Sequence, residues 1–302
     1  MQTRITTAAA LASLLLNLAC SSSSREERAT ATAGASRSRT ALVDAPDRWL
    51  DANGARLRYR EIGQGAPVIL LHGYTDNLAM WSGPADSLAR DHRVIVPDVR
   101  GFGLSSKSGD PSFYGQQMVA DVGALLDHLD LPSAHLIGYS MGGAITANFV
   151  LQHPTRVSSA TFVAGALFPD SAALGRLVNT YADHLERGDG LAPFFRYILP
   201  TWPDSMIRQV LPGLVAQNDS ASLVAALRGL ASLDVSWEAV SQTTIPAVSV
   251  VSAADPMVVG ARALERHWPG IRSVILPRGD HADIHLAPEV LTEFRRLTAA
   301  SR

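Results

Sequence analysis

The stretch Gly138-Tyr139-Ser140-Met141-Gly142-Gly143 constrains this chain more than any other. The strand-like run His135 to Ile137 precedes it, and a helix-period segment from Met141 to His153 follows and stops at Pro154. A serine at a strand-to-helix junction, with glycine two residues away on either side, fits a turn so sharp that bulkier neighbours would collide. Such a turn lifts the hydroxyl above the end of the strand. It also aims the first amides of the helix at whatever the hydroxyl attacks. The pattern asks for strand, strained turn and helix, and it nominates Ser140 as a nucleophile.

The rest of the chain supplies matching elements. Trp49 to Ala52 and Arg56 to Ile62 flank Asn53-Gly54, a dipeptide that favours a type I′ hairpin. Further strands are expected at Val68 to Leu71, Val94 to Val96, Ala160 to Ala164, Val248 to Ser252 and Arg272 to Leu276. Tyr114 to Leu129 puts Met118, Val122, Leu125, Leu126 and Leu129 on one helical stripe. Alternation of this kind predicts an α/β fold with a mostly parallel sheet flanked by helices. Between about Phe168 and Leu233 the alternation stops and every segment reads as helix: Ala172 to Glu186, Pro193 to Leu199, Asp204 to Gln217 and Ser222 to Leu233. We expect residues 168–233 to form an inserted cap over the carboxyl edge of the sheet, with 46–167 and 234–302 as the core.

Composition removes other chemistries. With 26 basic and 28 acidic residues the formal charge is −2, so nothing favours nucleic acid. One cysteine excludes an internal disulfide framework and any cysteine-based metal site, and no feature calls for a metal, nucleotide or flavin cofactor. Oligomeric state is left open.

The first 45 residues read differently. Met1 to Ala19 has Arg4 followed by a short apolar run, too short to span a bilayer, and is expected to be a signal peptide. Leu18-Ala19-Cys20 followed by four serines resembles a bacterial lipoprotein signal, although Asn17 departs from that pattern, and it marks Cys20 for lipidation. Residues 20–45, rich in Ser, Ala, Thr and Arg, are expected to be a flexible tether. The expected location is outside the cytoplasm, with membrane contact only through the lipidated N-terminus.

From the elbow outwards, Trp49 to Leu297 resembles the α/β-hydrolase fold family. His72-Gly73-Tyr74-Thr75 stands where that family keeps its oxyanion loop, and Asp98 to Ser105 is similar to its D-x-R-G-x-G-x-S segment. The resemblance implies that the backbone N–H groups of Tyr74 and Met141 form an oxyanion hole. It gives His72 and the Asp98 segment supporting roles. Ser140 needs a base. His281 and His285 follow the last expected strand, and the position of His281 ahead of Pro288 is that of the family's catalytic histidine. Asp255, after the strand ending at Ser252, stands where the family keeps its acid, and Asp280 and Asp283 read as solvated loop residues. The order Ser140, Asp255, His281 is that of the fold.

Members of this fold that open epoxides or remove halide carry aspartate at the elbow; serine points to acyl transfer. Phe194-Phe195-Arg196-Tyr197 through Trp202 concentrates aromatics in the cap, and Tyr139, Phe195 and Trp202 are candidate substrate contacts. The expected activity is hydrolysis of apolar, uncharged carboxylic esters. Carbon–carbon bond hydrolysis, perhydrolysis and acyl transfer use the same triad and stay open, as does a tethered binding protein without catalysis.

Overall fold

The computed structural model describes residues 40–165 and 167–299. The eight strands are β1 (Arg48–Ala52), β2 (Ala55–Gly63), β3 (Ala66–Leu71), β4 (His92–Pro97), β5 (Ala134–Tyr139), β6 (Val157–Val163), β7 (Ala247–Ser252) and β8 (Arg272–Leu276). They form one sheet in the order β1-β2-β4-β3-β5-β6-β7-β8, antiparallel at β1–β2–β4 and parallel from β4 onwards. At the β1–β2 hairpin both turn residues have positive φ, 50° at Asn53 and 73° at Gly54, as a type I′ turn requires.

The central strands β3 and β5 are buried on both faces, which explains why they read as apolar runs rather than alternating ones. Helices α1 (Ser82–Leu88), α2 (Gln116–His128) and α3 (Met141–Gln152) lie in the first half of the chain. Ten of the twelve residues of α3 are buried, so this helix is apolar almost all round and runs through the core. After β6 come α4 (Ser171–Glu186), α5 (Ala192–Ile198), α6 (Asp204–Ala216) and α7 (Ser220–Leu230), with no strand among them. Asp170 and Asp219 cap α4 and α7 through side-chain bonds to the N–H groups of Ala172 and Ser222. Then α8 (Trp237–Gln242), α9 (Val258–His267) and α10 (Pro288–Ala299) complete the layers.

Two boundaries differ from the sequence reading. β6 begins at Val157 rather than Ala160, because Ser159 is buried and bonds the His135 ring at 2.8 Å. The tether was expected to run to Ala45, yet Leu42 is fully buried and its N–H donates to Asp86 at 2.7 Å. Arg60 holds the carbonyls of Leu42 and Val43, so chain 42–45 packs on the core. Residues 1–39, including Cys20, lie outside the described residues.

Candidate active site

Parallel strands send their carboxyl ends to one edge, where β3, β5, β7 and β8 each deliver a loop. Ser140 follows β5 at φ 50° and ψ −115°, a conformation that side-chain-bearing residues rarely adopt. The turn is clamped: the Ser140 N–H donates to Val163 O at 2.9 Å, and the Gly143 N–H donates to Ser140 O at 2.8 Å. A Cβ on Gly138 would strike the Gly142 carbonyl, and one on Gly142 would strike the Leu71 carbonyl. The glycine spacing is therefore steric.

Asp255 and His281 arrive from the loops after β7 and β8, 1% and 3% exposed. Asp255 Oδ1 accepts the Met257 N–H at 2.8 Å, which leaves Oδ2 facing His281 Nδ1 at 2.8 Å. A carboxylate there makes Nδ1 the protonated nitrogen. The lone pair of Nε2 then faces the Ser140 hydroxyl, 3.0 Å away. One hydrogen-bond chain joins all three residues, from carboxylate to imidazole to hydroxyl.

The loop after β3 lies alongside. His72 is fully buried and burial lowers its pKa, so the ring is neutral. Its Nδ1–H donates to Gly73 O at 2.8 Å, and its Nε2 accepts the Val99 N–H at 2.9 Å. This ties the β3 loop to the β4 loop. Asp98 in turn accepts from Arg58, Leu78 N and Leu104 N at 2.7–2.8 Å, and Arg100 forms a fork with Asp121. Neither the Tyr74 nor the Met141 N–H donates to a backbone carbonyl among the described residues. Met141 opens α3, where the first amides have no partner within the helix.

Beside Ser140 lies a narrow cavity of about 40 Å³. Its walls are Tyr74 and Met141 from the core, Leu174, Leu177 and Val178 from α4, Phe194 and Ile198 from α5, and Leu227 and Leu230 from α7, with Phe168 and Met257 closing it. The lining is apolar apart from the Ser140 and Tyr74 hydroxyls. Burial raises the Tyr74 pKa far above its ordinary range, and its hydroxyl donates to Leu223 O at 3.0 Å.

The three proposed substrate contacts stand elsewhere. Tyr139 packs against the His281 ring at 5.2 Å and donates its hydroxyl to the His281 carbonyl at 2.6 Å. Phe195 is buried in α5, while its neighbour Phe194 faces the cavity. Phe194 and Ile198 are four apart, one face of a helix, and that phase was the available signal. Trp202 bonds Asp280 rather than lining the cavity. Asp280 is thus no free solvated residue, since both its carboxylate oxygens accept hydrogen bonds. Asp283 is exposed, as a solvated loop residue is, and also accepts the Asp280 N–H. His285 is packed between Trp81 and Tyr139, and burial lowers its pKa to about 4, so it stands by as a neutral ring.

Asp76 went unnoticed in the sequence. It is only partly open to solvent, and burial raises its pKa to about 6 while the nearby His281 pulls the other way. Among the described residues no group of three or more His, Cys, Asp or Glu is arranged to hold a metal ion.

Comparison with known proteins agrees with this architecture. The family model described as alpha/beta hydrolase fold matches residues 66–218. A pimeloyl-[acyl-carrier protein] methyl ester esterase from Aeromonas hydrophila is 29% identical over 248 residues, covering 77% of this chain and 94% of that protein. A dihydrolipoyllysine-residue acetyltransferase component of the acetoin cleaving system from Pseudomonas putida is 39% identical over 134 residues. That match covers 43% of this chain and only 34% of the relative. The enol-lactonase structure from Burkholderia xenovorans superposes with a TM-score of 0.68 at 24% identity, covering 83% of this chain and 100% of that one, a likeness of fold. The elbow, the sheet and the matched segment together make this chain a member of the alpha/beta hydrolase fold family.

Proposed function

We propose that the protein is a serine carboxylesterase for small, uncharged, apolar acyl groups. The observation that carries this reading is the hydrogen-bond chain Asp255–His281–Ser140 beside an apolar cavity. Ser140 Oγ attacks the ester carbonyl carbon as His281 Nε2 takes the hydroxyl proton. Asp255 stabilises the imidazolium, and the carbonyl electron pair moves onto oxygen, toward the Tyr74 and Met141 N–H groups. Collapse breaks the carbon–oxygen bond to the alcohol, which leaves with the proton from His281. Water then attacks the acyl-serine, giving up its proton to Nε2, and the acid departs as Ser140 recovers it. The named activity of the Aeromonas relative supports ester hydrolysis over the other reactions a serine of this fold performs. The cavity volume of about 40 Å³ supports short acyl groups.

Hydrolysis of p-nitrophenyl esters from acetate to palmitate, by the chain and by Ser140→Ala, tests the proposal. Turnover greatest with short chains and abolished in the variant supports it. Labelling of Ser140 by a fluorophosphonate with no ester hydrolysed would overturn it in favour of carbon–carbon cleavage or acyl transfer.

We further propose export with lipidation at Cys20, resting on the sequence of residues 1–45. No helix among the described residues is long and apolar enough to cross a membrane. Cys20→Ala should move the protein from the membrane to the soluble fraction of cells, and an unchanged distribution would count against lipidation.

A further inference from the structure

The loop carrying His281 is held by more than the end of β8. Asp280 folds it into a tight turn: its Oδ1 accepts the Ala282 N–H at 2.8 Å, and its own N–H donates to Asp283 Oδ1 at 2.8 Å. From the core side, the Tyr139 hydroxyl holds the His281 carbonyl at 2.6 Å. The other oxygen of Asp280 accepts the indole N–H of Trp202 at 2.5 Å, across 78 residues of chain. Trp202 sits between α5 and α6, and α5 is the helix that turns Phe194 and Ile198 into the cavity. The helical insertion grips the oxyanion loop as well, through Tyr74 Oη to Leu223 O and Asn218 Nδ2 to Thr75 O, both 3.0 Å. Both loops that serve Ser140 are therefore tied to the same insertion, at or next to the groups that act.

We propose that Trp202 is a positioning residue for the base: its bond to Asp280 fixes the turn that keeps His281 aligned between Asp255 and Ser140. The proposal rests on the esterase reading of that site. His281 must hold bonds of 2.8 Å and 3.0 Å at once, from a loop whose neighbouring residue is anchored in another layer. A displacement of about 1 Å at such a centre costs on the order of 10²-fold in rate. An indole N–H on a carboxylate is a charge-assisted bond, about twice as strong as a neutral one, and suits the holding role. Seating of the insertion and alignment of the base thus become one event.

Trp202→Phe in the full chain keeps an aromatic ring and deletes the donor. We expect kcat on p-nitrophenyl acetate and butyrate to fall by about tenfold, equally for both, with KM within about twofold. The far-downfield proton resonance of His281 Nδ1–H should broaden in the variant. Asp280→Asn keeps one acceptor oxygen, which the Ala282 N–H of the turn takes, and sets its NH2 against the Trp202 N–H. It should give a similar fall, with the double variant no worse than Asp280→Asn alone. An unchanged kcat, a fall that depends on acyl length, or additive losses would overturn the proposal. The resonance separates the two readings. Broadening in a protein that hydrolyses no ester would overturn the esterase reading and leave the positioning role standing. A resonance as sharp as in the parent would overturn the positioning role.

Discussion

The two sides of the cavity are built by different physics. On the core side, Ser140, Asp255 and His281 leave the ends of β5, β7 and β8, strands registered in one sheet. Their places are set by backbone: a strained φ at Ser140, glycines that admit carbonyls, and hydrogen bonds to main-chain groups. On the insertion side the wall is side chains on helices, and α6 buries only Ile207. On the proposed function, the core side sets which bond reacts and the insertion side sets what fits beside it. Substitutions in the first should therefore cost turnover for every substrate, and those of the cavity-lining side chains in the second should redistribute preference among substrates. Trp202, bonded to Asp280 beside His281, goes with the first.

The largest effect tests the first half. Ser140→Ala should lower kcat by about 10³-fold or more with KM little changed, because it removes an interaction made only along the reaction path. Far-ultraviolet circular dichroism should be unaltered, and melting no lower, since alanine has no β-branching to add strain at φ 50°. Retention of more than about a tenth of the activity would break the assignment of the nucleophile.

The same contrast decides what was legible in the sequence. Gly138, Ser140 and Gly142 announce themselves because a carbonyl takes the space of a Cβ, and that constraint acts on residue type at fixed spacing. The strands β3 and β7 were readable because burial on both faces demands unbroken apolar runs. β6 was clipped because buried Ser159 looks polar until its histidine partner across the sheet is known. The insertion was readable as helices, but which face of α5 meets the cavity depends on tertiary packing. For that reason the sequence reading names Phe195, whereas it is Phe194 that faces the cavity. Asp76 was invisible on similar grounds, as an aspartate in a loop carries no local mark of what surrounds it.

Asp76 sharpens the comparison through stability. Its pKa is about 6 in the fold against an ordinary value of 3.8. The folded state thus binds more protons than the unfolded chain between those limits, and stability falls as pH rises through that window. Above it the buried carboxylate costs on the order of 1–3 kcal/mol, at about 1.4 kcal/mol per unit. Asp76→Asn should melt higher than the parent at pH 8, with the gap closing near pH 4. A gap of equal size at both pH values would mean that some uncharged effect is responsible.

The smallest effect tests the insertion side. Phe194 faces the cavity, and its ring meets Tyr74 edge-on at 5.3 Å and Tyr181 at 5.3 Å. Phe194→Ala removes an aromatic wall and should admit longer acyl chains, since a methylene gained or lost in an apolar pocket changes binding by about 1–3 kcal/mol. We expect the ratio of kcat/KM for p-nitrophenyl hexanoate over acetate to rise by about three- to tenfold. Turnover of acetate should change less than threefold, because Tyr74 keeps its hydroxyl bond to Leu223 and its N–H stays with the β3 loop. Phe195→Ala is the control one residue away: it opens space inside the insertion, lowers its stability and leaves the ratio alone. If both variants change the ratio equally, the insertion is soft as a whole rather than shaped by one helical face. If acetate turnover collapses in Phe194→Ala, the Tyr74 loop depends on that ring, and the division between the chemical half and the selective half fails at that contact.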